Sequence, residues 1–231
     1  MASCKKKEES SSATKLAFKV HFVWDDEPLV LNSQSYITPG LDSIVFKRLC
    51  YLLSDFKVRK KNGTWINISD SYAYVDAGKG YTDFSFADVP QGSYDSVSFM
   101  IGLDSVVNYG DPKKWPETHP LNPVYSNMHW SWTQGYVFYA MEGYYYHPDQ
   151  ALFSLHIAFL QNRVRYKMAG NIELSGTRTI NLQFDAKEAF QNPRVYVIDE
   201  DGNFSHSEND NGLANKIRDN LATAFRLLNV E

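Results

Sequence analysis

The sequence predicts an all-β fold, an antiparallel β-sandwich with one long Pro-rich loop and a C-terminal α-helix. Three observations carry this reading. Apolar and polar residues alternate along several short runs. Fifteen Tyr, fourteen Phe and five Trp favour half-buried strands. Asn-Gly and Pro-Gln-Gly turn signals separate the runs. A chain of 231 residues with 43% apolar content can bury one sizeable core, and all-β units of this length often form one domain. The expected division is residues 1–13 as a polar tether and 14–231 as a single domain.

Taken in order, Leu16, Phe18, Val20, Phe22 and Trp24 alternate with Ala17, Lys19, His21 and Val23, which gives a strand with one buried face. Residues 43–60 are apolar on both parities, as a central sandwich strand can be. Lys61-Asn62-Gly63 is a hairpin turn, because Asn-Gly accepts positive φ, and 65–75 reads as the return strand. Pro90-Gln91-Gly92 turns into a strand carrying Val97, Phe99, Ile101 and Leu103. From 104 to 127, Gly110, Pro112, Pro116, Pro120 and Pro123 preclude regular structure over much of the segment. Loops of that length tend to be functional or mobile. Strand character resumes over 128–141, 151–160, 171–174, 179–185 and 194–198. Leu213, Ile217, Leu221, Phe225 and Leu228 recur at spacings of three or four, a terminal helix with Asn209-Asp210 as its caps.

Several function classes are disfavoured. A net charge of -4 and no basic stripe interleaved with aromatics argue against nucleic acid. No apolar run approaches the roughly 18–20 residues that cross a bilayer. No nucleophile elbow, phosphate loop, HExxH motif or spaced carboxylate pair marks an enzyme. Cys50 lies in an apolar run and reads as an inert buried thiol. Cys4 lies in the polar tail SCKKKEESSSAT, so no disulfide joins the two. That tail resembles the start of a mature bacterial lipoprotein, which implies acylation at Cys4 and a lipid-anchored domain in the periplasm or on the outer-membrane surface. The charged stretch from Lys5 to Glu9 resembles surface-export signals of some Gram-negative lipoproteins.

The densest chemistry lies in 119–143, HPLNPVYSNMHWSWTQGYVFYAMEG. Imidazole and thioether donors beside oxidisable indoles are the ligand types copper uses. Strand parity places Met128, Trp130, Trp132, Gln134 and Tyr136 on one side and His129 on the other. Downstream, Phe153, Leu155, Ile157 and Phe159 share an apolar face, so His156 projects from the opposite face between the small residues Ser154 and Ala158. His21 and His147 stand out less, the first on a polar strand face and the second in a Tyr-rich turn.

The pieces YLLSDFKVRKKNG, VPQGSYDSVSFMIGLDSVVN, HPLNP at His119, MHWSWTQGYVFYAMEG from Met128, LFSLHIAF around His156 and the terminal DNLATAF occur in this order along the chain. In them the chain resembles the MbnP-like copper-binding family, periplasmic or lipid-anchored β-rich proteins linked to methanobactin and copper handling. The strongest signature is M-x-W-x-W-x-x-G-Y followed by E-G and then a strand His. The resemblance implies a mononuclear copper site on a β-sandwich, with copper held by His and by a Trp oxidised to kynurenine. It also implies a diheme cytochrome c peroxidase-like partner that carries out the oxidation. By motif, His119 and His156 are the expected ligands, Trp130 or Trp132 the oxidisable indole, and Met128 a soft neighbour for Cu(I). His129 departs from the pattern, where an aromatic is more usual. Two other readings remain open. One is a carbohydrate- or other ligand-binding surface lipoprotein that uses Tyr144-Tyr145-Tyr146, Trp115 and Trp130. The other is a structural domain that assembles with an envelope partner.

Overall fold

The computed structural model describes residues 14–231 apart from Trp132 and His147. The expected tether with Cys4, and Trp132 as a candidate indole, lie outside the described residues. The strands are β1 Lys15–Trp24, β2 Glu27–Pro28, β3 Tyr36–Ile37, β4 Ser43–Lys60, β5 Trp65–Asn67, β6 Ala73–Asp76, β7 Asp83–Ala87, β8 Gly92–Ile101, β9 His129–Ser131, β10 Gly135–Tyr146, β11 Gln150–Ala158, β12 Val164–Leu174, β13 Thr177–Asp185, β14 Phe204–Ser205 and β15 Phe225–Val230. One sheet runs β15-β13-β1-β2, with β7 also paired to β1. The other runs β12-β8-β4-β10-β11-β14, with β3, β5 and β6 on β4 and β9 on β10. Pairing is antiparallel except for β1 with β13 and β11 with β14. The fold is therefore a mostly β sandwich with few helices.

Aromatic rings fill the space between the sheets. Phe18 meets Phe56 at 5.0 Å, Tyr51 meets Phe184 at 4.9 Å, Phe46 meets Trp24 at 5.8 Å and Phe99 meets Phe225 at 5.2 Å between ring centroids. Tilted and edge-on pairs of this kind add about 0.5–1.5 kcal/mol each beyond their buried area.

β4 shows why 43–60 is apolar on both parities. Ile44 and Phe46 face the core, then Leu49, Tyr51 and Leu53, then Phe56 and Val58. The inward phase switches twice. One switch lies at Lys47, where Glu142 pairs with Arg48 but Gly143 pairs with Phe46. The other lies between Ser54 and Lys57 in the pairing with β8, where Asp55 has φ of 54°. Bulges, as well as burial on both faces, produce the continuous apolar run.

Several expected boundaries move. The return strand 65–75 is two strands, broken where the Ser71 hydroxyl donates to Ile68 O and accepts from Phe56 N. The segment 104–127 is folded into short helical turns. Asp104, Asp111 and Asn122 accept hydrogen bonds from the first N–H groups of Ser105–Asn108, Pro112–Lys114 and Pro123–Ser126. Pro112 and Pro123 open their turns, a position that needs no amide hydrogen. Residues 194–198 are not a strand, and Ile198–Asp201 is a helical turn. The terminal helix stops at Leu221, and Phe225 and Leu228 belong to β15, which pairs with β13. Asp210 does act at the helix start, accepting from the Gly212 and Ala214 amides. The expected strand 128–141 folds at a turn into the hairpin β9–β10.

Two motif glycines answer to close approach. Gly135 has φ of 76°, and a Cβ there would meet Asn108 Nδ2 at 2.5 Å. At Gly143 a Cβ would lie 2.2 Å from Val45 O and 2.8 Å from the Phe153 ring. Gly143→Ala should therefore cost about 3 kcal/mol or more in urea unfolding. Gly176→Ala, which meets nothing within 4 Å, should stay within about 0.5 kcal/mol of the parent.

Candidate metal centre

Four neighbouring strands carry polar side chains in a row across the outer face of the larger sheet. Arg48 on β4 pairs directly with Glu142 on β10. His156 on β11 pairs with Ala140, which makes Glu142 its diagonal neighbour, within reach for long side chains. β14 adds to β11 in parallel with Ser154 opposite Phe204 and Leu155 opposite Ser205, and the next step of that register sets His206 beside His156. The two imidazoles stack at 5.3 Å with 7° between their planes. Ser207 locks this edge, its hydroxyl donating to His156 O and accepting from Ala158 N, both at 2.8 Å.

The row is electrostatically ordered. Glu142 Oε1 accepts from Arg48 Nη1 at 2.7 Å and lies 2.8 Å from His156 Nε2. The hydrogen bond from His156, joined by that from Arg48, outweighs partial burial and pulls the Glu142 carboxyl down to about 2. An ionised carboxylate only accepts, so Nε2 is the protonated nitrogen of His156. Its Nδ1 is buried with no hydrogen-bond partner. Burial, reinforced by His156, lowers the pKa of His206 and favours its neutral ring.

Trp130 covers both imidazoles, 5.0 Å from His206 and 6.1 Å from His156 between centroids. It also lines a cleft of about 1150 Å³ together with Tyr81, Pro123, Val124, Tyr125 and His129. Two imidazoles and an indole thus converge, one imidazole nitrogen being buried and unpartnered. Among the described residues, no three His, Cys, Asp or Glu side chains form a group able to hold a metal ion.

The expected ligand residues do not all sit together among the described residues. His156 and Trp130 come together. His119 instead stacks on Trp115 at 4.2 Å and meets Tyr72 at 5.8 Å, while its Nδ1 accepts the Leu121 amide. No hydrogen bond or ring contact joins it to His156 among the described residues. Its Nδ1 and its ring face serve the loop fold. Met128 is fully buried, with its sulfur 3.6 Å from Cys50 Sγ and 3.4 Å from Arg48 Nη2. These contacts put it at the Arg48 end of the row and not at the histidine end. Cys50 is buried as expected, and burial pushes its thiol up to about 11.

His129 meets Tyr136 edge-on at 4.6 Å and pairs with it across the hairpin, so the two share a side. Parity assumed through the turn had put them on opposite sides. His206 was missed altogether. It sits in the polar stretch FSHSEND, and its only signal is the two-residue spacing from Phe204.

The MbnP family profile matches residues 13–208, and the chain belongs to that family. The match takes in His156, His206 and Trp130 but ends before the terminal helix, so DNLATAF is not part of it. Among solved structures, MbnP from Methylosinus trichosporium is similar, with a TM-score of 0.55 at 15% identity over 80% of each chain. At that identity the likeness speaks for the fold. No curated protein matches the chain.

The ion pairing predicts an acid limb of stability. The folded pKa of Glu142 lies below its ordinary 4.5, so its contribution is complete above that pH and is lost as pH falls toward about 2. Urea midpoints measured across this window should fall less steeply in Glu142→Gln than in the parent.

Proposed function

We propose that this MbnP-family chain is a copper-binding accessory protein of the cell envelope, with His156 and His206 as its imidazole ligands and Trp130 as the adjoining indole. One observation carries the reading. A buried, unpartnered Nδ1 on His156 lies in a ring stacked on a second imidazole, and a buried nitrogen without a partner is costly unless something binds it. Imidazole suits both Cu(I) and Cu(II). Oxidation of Trp130 to kynurenine would supply an arylamine donor that an indole lacks, which accords with two imidazoles meeting here among the described residues. Copper is cargo in this reading, and the protein itself turns nothing over. A diheme cytochrome c peroxidase-like partner would oxidise the indole, with access through the cleft that Trp130 lines, and acylation at Cys4 would hold the domain at the membrane.

Copper titration of the purified protein tests the site. His156→Ala and His206→Ala should each weaken binding by at least about 100-fold, beyond the 10–100-fold usual for groups that only support a ligand. His119→Ala should leave affinity unchanged. Intact mass after co-production with the peroxidase-like partner should show oxidation that Trp130→Phe abolishes. Absence of copper binding by the parent, oxidised or not, would sink the reading. The aromatic cleft supports a second reading, a ligand-binding surface protein without metal. Glycan binding by the parent that is lost in Tyr125→Ala would favour it.

A further inference from the structure

We infer that Glu142, clamped by Arg48, is the positioning residue that presents His156 to a metal ion by holding the proton on Nε2 and leaving Nδ1 as the donor atom. The role rests on the copper reading, but its first consequence is visible without metal.

Three observations on the row support it. One carboxylate oxygen, Oε1, serves both Arg48 Nη1 at 2.7 Å and His156 Nε2 at 2.8 Å, so it cannot turn toward one without leaving the other. Arg48 is itself fixed, its Nη2 reaching Asn127 O at 3.2 Å and Met128 Sδ at 3.4 Å. The backbone fixes the rest, because the bulge at Lys47 sets Arg48 opposite Glu142 and the Gly143 contact with Val45 O locks that register. An imidazole has two nitrogens, and a carboxylate on one leaves the other as the lone-pair atom. Carboxylates behind ligating histidines orient the ring and raise its basicity. Here that arrangement stands complete, with Nδ1 buried and unpartnered on its far side. The E-G pair of the sequence signature thereby has a division of labour, Glu142 holding the ring and Gly143 holding the strand that carries Glu142.

The test uses the full chain. Two-bond proton–nitrogen correlation spectra of the metal-free, 15N-labelled protein near pH 8 should show His156 as the pure Nε2–H tautomer. Glu142→Gln should give a mixture, because a carboxamide can donate as well as accept. Competitive Cu(I) titration should then find Glu142→Gln weaker by about 10–100-fold, alongside the lower urea midpoint at pH 7 that loss of the ion pair brings. Arg48→Lys, which keeps the charge but loses the planar clamp, should weaken binding by about tenfold, and Glu142→Asp should recover part of the loss. A parent that binds copper, with a Glu142→Gln variant equal to it in both tautomer and affinity, overturns the role of Glu142 alone. Weaker binding with an unchanged tautomer also overturns it, since the carboxylate would then act through the fold and not through the imidazole proton. A parent that binds no copper overturns the metal reading and this role together, whatever the tautomer.

Discussion

The bulge at Lys47 is the constraint on which the outer face of the larger sheet depends. Without it, the phase that points Ile44 and Phe46 into the core would continue, and Arg48 would be buried among aromatics instead of facing Glu142. The extra residue lets the core keep Phe46 against Trp24 and Tyr51 against Phe184 while Lys47 and Arg48 both face outward. Burying an unpaired guanidinium would cost several kcal/mol, so the phase switch and the ion pair support one another. Gly143 makes the register possible, because its missing side chain admits both Val45 O and the Phe153 ring.

From that register the polar row follows by geometry alone. Each member is held by the strand beside it, and the last, His206, arrives on a two-residue strand that adds in parallel to β11. Parallel addition matters because it steps both chains forward together, so the residue after Leu155 meets the residue after Ser205. Charge is distributed along the same line. A cation stands at one end, a carboxylate beside it, and two imidazoles at the other, of which His206 favours the neutral form. In the copper reading, that end is where a cation from outside would bind. Neither His119 nor Met128 shares it, because a loop amide occupies the Nδ1 of one and Arg48 and Cys50 enclose the sulfur of the other.

The sheet architecture was legible wherever local pattern decides it. Alternation found β1, the apolar run found β4 end to end, and the two turn signals located their neighbours. His156 was legible too, since Ser154 and Ala158 beside it and the apolar face opposite told which way it points. What escaped reading depends on pairing between distant segments. Parity carried through 132–134 misplaced Tyr136 relative to His129, because a turn resets the phase. β15 was read as helix because a spacing of three or four continued past Leu221, while hydrogen bonding to β13 decided otherwise. Proline in 104–127 excluded strands correctly but also opens helical turns, which capping by Asp111 and Asn122 exploits. His206 belongs to the same class, since its partner on β11 cannot be inferred from a short polar segment.

The slender attachment of β14 has a consequence for cohesion. The segment that bears His206 is tied to β11 by two ladder pairs, the Ser207 bracket and the Asn203 contacts with Leu152 O and the Ser154 amide. Everything between His156 and His206, including β12, β13 and the turns after them, forms a single excursion of the chain that closes at those two rings. An ion shared by both would act as a removable stitch across that excursion. Held only where the two rings meet in the folded chain, it would stabilise that closure by mass action, and would couple the sheet edge to the presence of metal.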